Sequence, residues 1–131
     1  MNIVDLDGIE MCWKPRGRSD LFEGRNKSSL HLKARSLLRT KYPTVRILEE
    51  VSIPIRKRKV QYFDFYLPLK NLAIEVHGEQ HFMMSSMFHK TKADFIKQKR
   101  NDREKAEWCD LNAIDLIVLR YDQQDRWEEL I

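Results

Sequence analysis

The chain has 131 residues, 42% of them hydrophobic and 34% charged, and a formal net charge of +4. That is one domain's worth of chain, with enough apolar residues for a core that needs neither disulfide nor structural metal. No apolar run approaches the roughly 18 residues of a membrane span, and Met1 to Glu10 holds three acids and no base, a composition not expected of a secretory signal. A cytoplasmic protein with no membrane partner is the expectation, with Cys12 and Cys109 as free thiols because they fall in no metal-ligand spacing.

Residues 1–27 carry Gly8, Pro15, Gly17 and Gly24 with little periodicity and read as an irregular arm with one short strand at its start. Between Lys14 and Lys27 five bases face two acids, so Arg16, Arg18, Arg25 and Lys27 are candidates for contacts to a polyanion backbone. From Ser28 the pattern becomes that of a folded domain running to residue 131. Leu30, Ala34, Leu37 and Leu38 form the stripe of an amphipathic helix, with Ser28 or Ser29 as N-cap and Pro43 past its end. Val45 to Ile55 alternates as a strand, with Glu49-Glu50 marking a kink. Arg56-Lys57-Arg58-Lys59 is a solid basic block, a second backbone-binding candidate, and leads into a strand from Val60 to Leu67.

After a turn at Lys70-Asn71, Leu72 to His77 is a third strand, closed by Gly78. Glu79 to Lys90, with Met83, Met84, Met87 and Phe88, reads as a loop whose apolar residues pack on the sheet. Thr91 to Trp108 is a long charged helix, Ile114 to Tyr121 a buried strand, and Asp122 to Ile131 a short terminal helix. The fold class is therefore α/β, a mixed sheet flanked by helices, because a strand after a long helix can return parallel to its neighbour.

The chemistry concentrates in YFDFYLPLKNLAIEVHGEQHF, where Asp64 is followed eleven positions later by Glu75 and then by Val76 and His77. Two adjacent strands can bring such acids to one divalent cation, and a side chain two residues after the second acid returns to the same face. The competing reading is the solvent face of a sheet. Leu72-Ala73-Ile74 opposes it, since a strand buried on both faces leaves an unpaired carboxylate costly.

With these residues and this element order, the chain resembles the restriction-endonuclease-like PD-(D/E)XK superfamily, and within it the very-short-patch-repair endonucleases and the catalytic domains of phage homing endonucleases. The likeness runs from about Ser28 to Tyr121, over the DFYLP strand, AIEVHGEQHF, and a helix with Arg100-Asn101-Asp102-Arg103 followed by DLIVLRY. It implies an αβββαβ core and a metal-dependent DNA endonuclease of phage or mobile-element type. It also implies Asp64 as metal ligand, His77 as base in place of the motif lysine, and Asp102 as a supporting acid, the alternative for Asp102 being an exposed helix residue paired with Lys99 or Lys105. Two departures stand out. The first-helix glutamate of many members is absent, so either His31 or Glu23 takes its place or its function is missing, and the mismatch enzymes' cysteine-rich zinc site has no counterpart.

The resemblance implies that Asp64, Glu75 and the carbonyl of Val76 hold Mg2+, with Mn2+ able to substitute, while His77 takes a proton from the attacking water. Gln80 or His81 would touch the scissile phosphate or a second ion, and Lys99, Arg100 or Arg103 would supply the positive charge that histidine does not carry permanently. Trp13, Trp108 and Trp127 read as packing residues, Trp13 with stacking on bases as its alternative. Sequence specificity would need a second copy of the chain, the arm, or a partner protein. The competing function is a non-catalytic nucleic-acid-binding or host-modulating module on the same fold. An RNA-processing subunit is a weaker third, with no RNA-binding motif to support it.

Overall fold

The computed structural model describes residues 1–19, 28–84, 89 and 91–131. Its centre is a mixed sheet of β4 (Leu48–Arg56), β5 (Lys59–Leu67), β6 (Leu72–His77) and β7 (Asp115–Arg120), edged by the two-residue β3 (Arg18–Ser19). Neighbours pair antiparallel until β6 and β7, which run parallel because α2 (Lys92–Leu111) carries the chain back between them. Helix α1 (Ser29–Lys41) and the short α3 (Trp127–Leu130) cover one face, and α2 covers the other.

The two long helices start where side chains provide for it. The Ser28 side chain accepts from the His31 backbone N–H, and Thr91 and Asp94 form a reciprocal capping box at the start of α2. Ala34 and Leu38 of α1 join Phe65, Leu67, Ile74, Leu119 and Trp127 in one core cluster. Trp108 and Cys109 of α2 join Val51, Ile53, Phe63 and Tyr66 in the other. Each buried Val, Leu, Ile or Phe side chain among them contributes roughly 1.5–3 kcal/mol. Burial also pushes the Cys109 thiol up to about 12, keeping it protonated and unreactive. No helix among the described residues is long and apolar enough to cross a membrane.

The N-terminal arm is more ordered than its glycines suggest. It folds as a hairpin of β1 (Asn2–Val4) and β2 (Glu10–Cys12) in place of the single short strand expected. Ile3 and Trp13 enter the α2-side core, and the Trp13 Nε1–H donates to the Ser52 carbonyl. Trp13 is thus a packing residue, edge-on to Trp108 with ring centroids 5.2 Å apart, and is buried away from any base. A Cβ on Gly17 would lie 2.5 Å from the Glu49 carbonyl, so only glycine lets the arm pass so close to β4. The expected loop packing after Glu79 is not seen at Met83 and Met84, which are exposed; Met87 and Phe88 lie outside the described residues.

The expected kink at Glu49-Glu50 is real and shared between two strands. Leu48 and Val51 fall in the same core cluster although three apart, and so do Tyr66 and Phe63 opposite them. Alternation along a strand forbids this unless the pleat slips by one residue. It slips at Glu50, whose φ is 52°, and at Asp64 across from it, while the pairing on either side keeps its register.

A second strained position lies past α2, where Ala113 has a φ of 56°. A Cβ in the left-handed region costs roughly 1–2 kcal/mol, and no side-chain contact depends on this exposed alanine. Ala113→Gly is expected to raise the unfolding free energy by about 1 kcal/mol in urea titration, the looser unfolded chain taking back part of the gain.

Candidate active site

β5 pairs with β6 over three residues a side, ending at Phe65 opposite Ile74. Asp64 and Glu75 are the next pair in that register, so the hairpin brings the two acids side by side as their spacing predicts. Beyond this point the strands exchange side-chain bonds in place of ladder bonds. The Asp64 N–H donates to Glu75 Oε2 at 3.1 Å, and the Val76 N–H donates to Asp64 Oδ2 at 2.8 Å. The slip at Asp64 is what turns its N–H toward Glu75.

Glu75 is buried, at 2% exposure, and its second oxygen accepts from the ammonium of Lys105. Burial, and after it the charge of Asp64, raises this carboxyl to about 8 against the opposing pull of Lys105. The site is therefore short of positive charge. Oxygen donors from Asp64, Glu75 and the Val76 carbonyl suit a hard divalent cation, which would offset both causes of the shift.

Lys105 belongs to a stripe on α2, with Gln98, Asp102 and Cys109, at spacings that share one helix face. It is the cation the expected site lacked. The three cations proposed from sequence sit elsewhere on the helix. The Lys99 ammonium lies 5.1 Å from the centre of the Phe82 ring, and Arg100 and Arg103 line a separate groove with Arg56, Lys59 and Glu104.

Asp102 meets neither Lys99 nor Lys105. Its Oδ2 accepts from His81 Nδ1 at 2.8 Å. His77 lies flat against His81, with ring centroids 4.0 Å apart and planes 6° from parallel. Burial, then the neighbouring His81, pulls His77 down to about 4, so this ring stays neutral. His77, His81 and Asp102 bring ligand atoms within 4.8 Å of one another. Parallel rings, however, keep their lone pairs in two parallel planes and do not converge on one ion, so the arrangement is a stacked pair on a His–Asp dyad rather than a closed metal cage.

A cavity of about 300 Å3 joins these groups, lined by Ser28, His31, Asp64, Glu75, Val76, Gln80, His81 and Lys105. His81 and Gln80 therefore face the acids directly, whereas His77, expected as the base, sits behind His81 and is not among the lining residues. His31 takes no metal-binding glutamate's place by itself. Its Nε2–H donates to Glu49 Oε1 at 2.6 Å, and Arg35 grips the same carboxylate from Nε and Nη2 at 2.8 Å each. Glu49 came to notice in the sequence only as a kink.

The expected polyanion-binding residues divide in two. Arg56 and Lys59 are held by the buried Glu104, at 2.8 and 2.7 Å, and Arg56 also by Asp7, so they clamp the hairpin to α2. Lys57, Arg58 and Arg16 are exposed. Arg18 lies in β3, and Arg25, Lys27 and Glu23 fall outside the described residues.

No family model matches the chain, and no solved structure matches it. A relative was found among viral proteins. Over 62 residues the chain is 36% identical to uncharacterized protein 307L of Invertebrate iridescent virus 6. The match takes in 47% of this chain and 32% of the viral protein, so this chain spans about a third of that relative's length. The viral protein's name carries no activity.

Proposed function

We propose that the chain is a divalent-metal-dependent nuclease that hydrolyses phosphodiester bonds in DNA, on a restriction-endonuclease-like core. The observation that carries the reading is the convergence of Asp64, Glu75 and Lys105 with a His–carboxylate dyad on one open cavity. The order α1, β4, β5, β6, α2, β7 supports it as the αβββαβ succession. When bound, the cation supplies the clamp on the scissile phosphate and the acidified water.

The chain's own groups would divide the remaining work. Asp64 and Glu75, with the Val76 carbonyl, hold the cation, Mg2+ or Mn2+. Lys105 leaves Glu75 for the phosphate and stabilises the charge that builds on it. His81, oriented by Asp102, accepts the proton of the attacking water, and His77 beneath it stays neutral and adds no repulsion to the imidazolium that forms. Gln80 reaches the phosphate from the cavity wall. DNA contacts fall to Lys57, Arg58, Arg100 and Arg103, with a second copy or a partner protein supplying specificity.

A second reading has one observation in its favour. The ammonium of Lys105 already sits on Glu75, as it would in a binding module that no longer uses a metal. Supercoiled plasmid incubated with Mg2+ or Mn2+, beside an EDTA control, separates the two. Conversion to open circle or linear product that EDTA stops is the expected result. Plasmid left intact but retarded on a gel would favour the module.

A further inference from the structure

Half a turn round α2 from the stripe that faces the acids lies a second cavity, of about 410 Å3, lined by Arg56, Lys59, Arg100, Arg103, Glu104 and Glu107. Its acids do not balance its bases. With the adjoining Lys57-Arg58 turn, and with Asp7, which accepts from Arg56 and from the Lys57 N–H, six bases meet three acids, a surplus of three out of the chain's net four. The buried acid is fully engaged. Glu104 accepts from Lys59 Nζ on one oxygen and from Arg56 Nε on the other, and Asn101 Oδ1 accepts a second proton of Lys59. Arg56 Nη2 and one N–H of Lys59 are left without partners among the described residues, on head groups already fixed in place. Arg103 stands 3.9 Å from Glu107, too far for a hydrogen bond, and the exposed Arg100 has no partner among the described residues.

We propose that this groove binds phosphate groups of a nucleic-acid backbone, apart from the site of cutting, with Arg56 and Lys59 as its fixed floor and Arg100 and Arg103 as its outer contacts. A guanidinium fork matches two phosphate oxygens at once, and head groups already held by Glu104 lose little freedom when the anion arrives. Glu104, the clamp between hairpin and helix, is then also the positioning residue of this site. Helix α2, about 10–12 Å across with its side chains, keeps the two anion sites on different residues, so the groove contributes affinity without a metal. The groove's charge and geometry stand without any reaction; that its phosphates belong to the DNA being cut rests on the nuclease reading.

Fluorescence anisotropy of a labelled DNA duplex, titrated with the full chain in EDTA over a series of KCl concentrations, tests the site with no cutting. Each phosphate contact adds about 0.9 to the slope of log affinity against log salt, so Arg100→Ala/Arg103→Ala is expected to lower that slope by about 1.8. Lys41→Ala/Lys70→Ala removes the same charge from beside Tyr42, at the other end of β5 from Lys59, and should keep the wild-type slope. Equal losses in the two pairs would mean a response to net charge alone, and an unchanged slope in Arg100→Ala/Arg103→Ala would mean that no phosphate is held there; either result overturns the inference. Displacement of the duplex by inorganic phosphate too dilute to alter the ionic strength would also overturn it, assigning the groove to a free phosphorylated ligand. If the slope falls as expected and plasmid is never cut, the groove stands and the nuclease reading fails. If plasmid is cut and the slope does not move, only the groove falls.

Discussion

Asp64→Ala is expected to reduce Mg2+-dependent cleavage of supercoiled plasmid by about a thousandfold or more while leaving the fold intact. A metal that stabilises the transition state supplies several kcal/mol, and each 1.36 kcal/mol is a factor of ten. Asp64 sits half-buried beside Glu75, and its Oδ2 also receives the Val76 N–H, so truncation removes a ligand and loosens the strand that carries the others. The two histidines provide the finer discrimination. His81→Ala should lose about 10²–10⁴ in rate, as the loss of a general base does. His77→Ala should lose far less, because its ring packs behind His81. Lys105→Met should fall between, removing charge stabilisation without removing the metal. Full activity in Asp64→Ala would sink the proposed site, and equal losses for His77→Ala and His81→Ala would return the base to His77 or show that neither histidine is one.

What the sequence could and could not reveal follows from the range of the forces involved. The β5–β6 hairpin is local, and a tight turn at Asn71 sets its register, so Asp64 and Glu75 could be paired from spacing alone. Lys105 was hidden among five cations between Lys97 and Lys105, any of which could have been chosen. A signal was present nonetheless. Lys105 precedes Trp108 by three residues and Cys109 by four, which places it on the buried side of the helix, whereas Lys99 lies round the other way. The β1–β2 hairpin was missed because its strands are three residues each and gain their stability from Ile3 and Trp13 packing on a distant core. The dyad needed α2 to be set against the end of β6, which no local pattern reports.

Glu49→Ala should destabilise the protein by about 3–5 kcal/mol, the cost of leaving buried partners without their counter-charge. The carboxylate is nearly sealed, at 4% side-chain exposure, with Arg35 at 10% and His31 at 6%. Burial alone would raise its pKa, but hydrogen bonds from His31 and then Arg35, with the Arg35 charge, prevail and hold it down at about 2. Because the folded value lies below the ordinary 4.5, the ionised group stabilises the fold at all pH above 4.5, and that contribution drains away as pH falls from there toward 2. Urea unfolding at pH 7 and at pH 3 reads both effects: the gap between wild type and Glu49→Gln should be wide at pH 7 and narrow at pH 3. A gap independent of pH would mean that Glu49 acts by shape rather than charge. The position has a further consequence, since Glu49 precedes the slip at Glu50 that turns Asp64 toward Glu75, and His31, which it holds, lines the same cavity. Weakening this buried pair should therefore disturb the acids' alignment before it unfolds the chain, so Glu49→Gln is expected to lose cleavage at temperatures where its circular dichroism is still that of wild type.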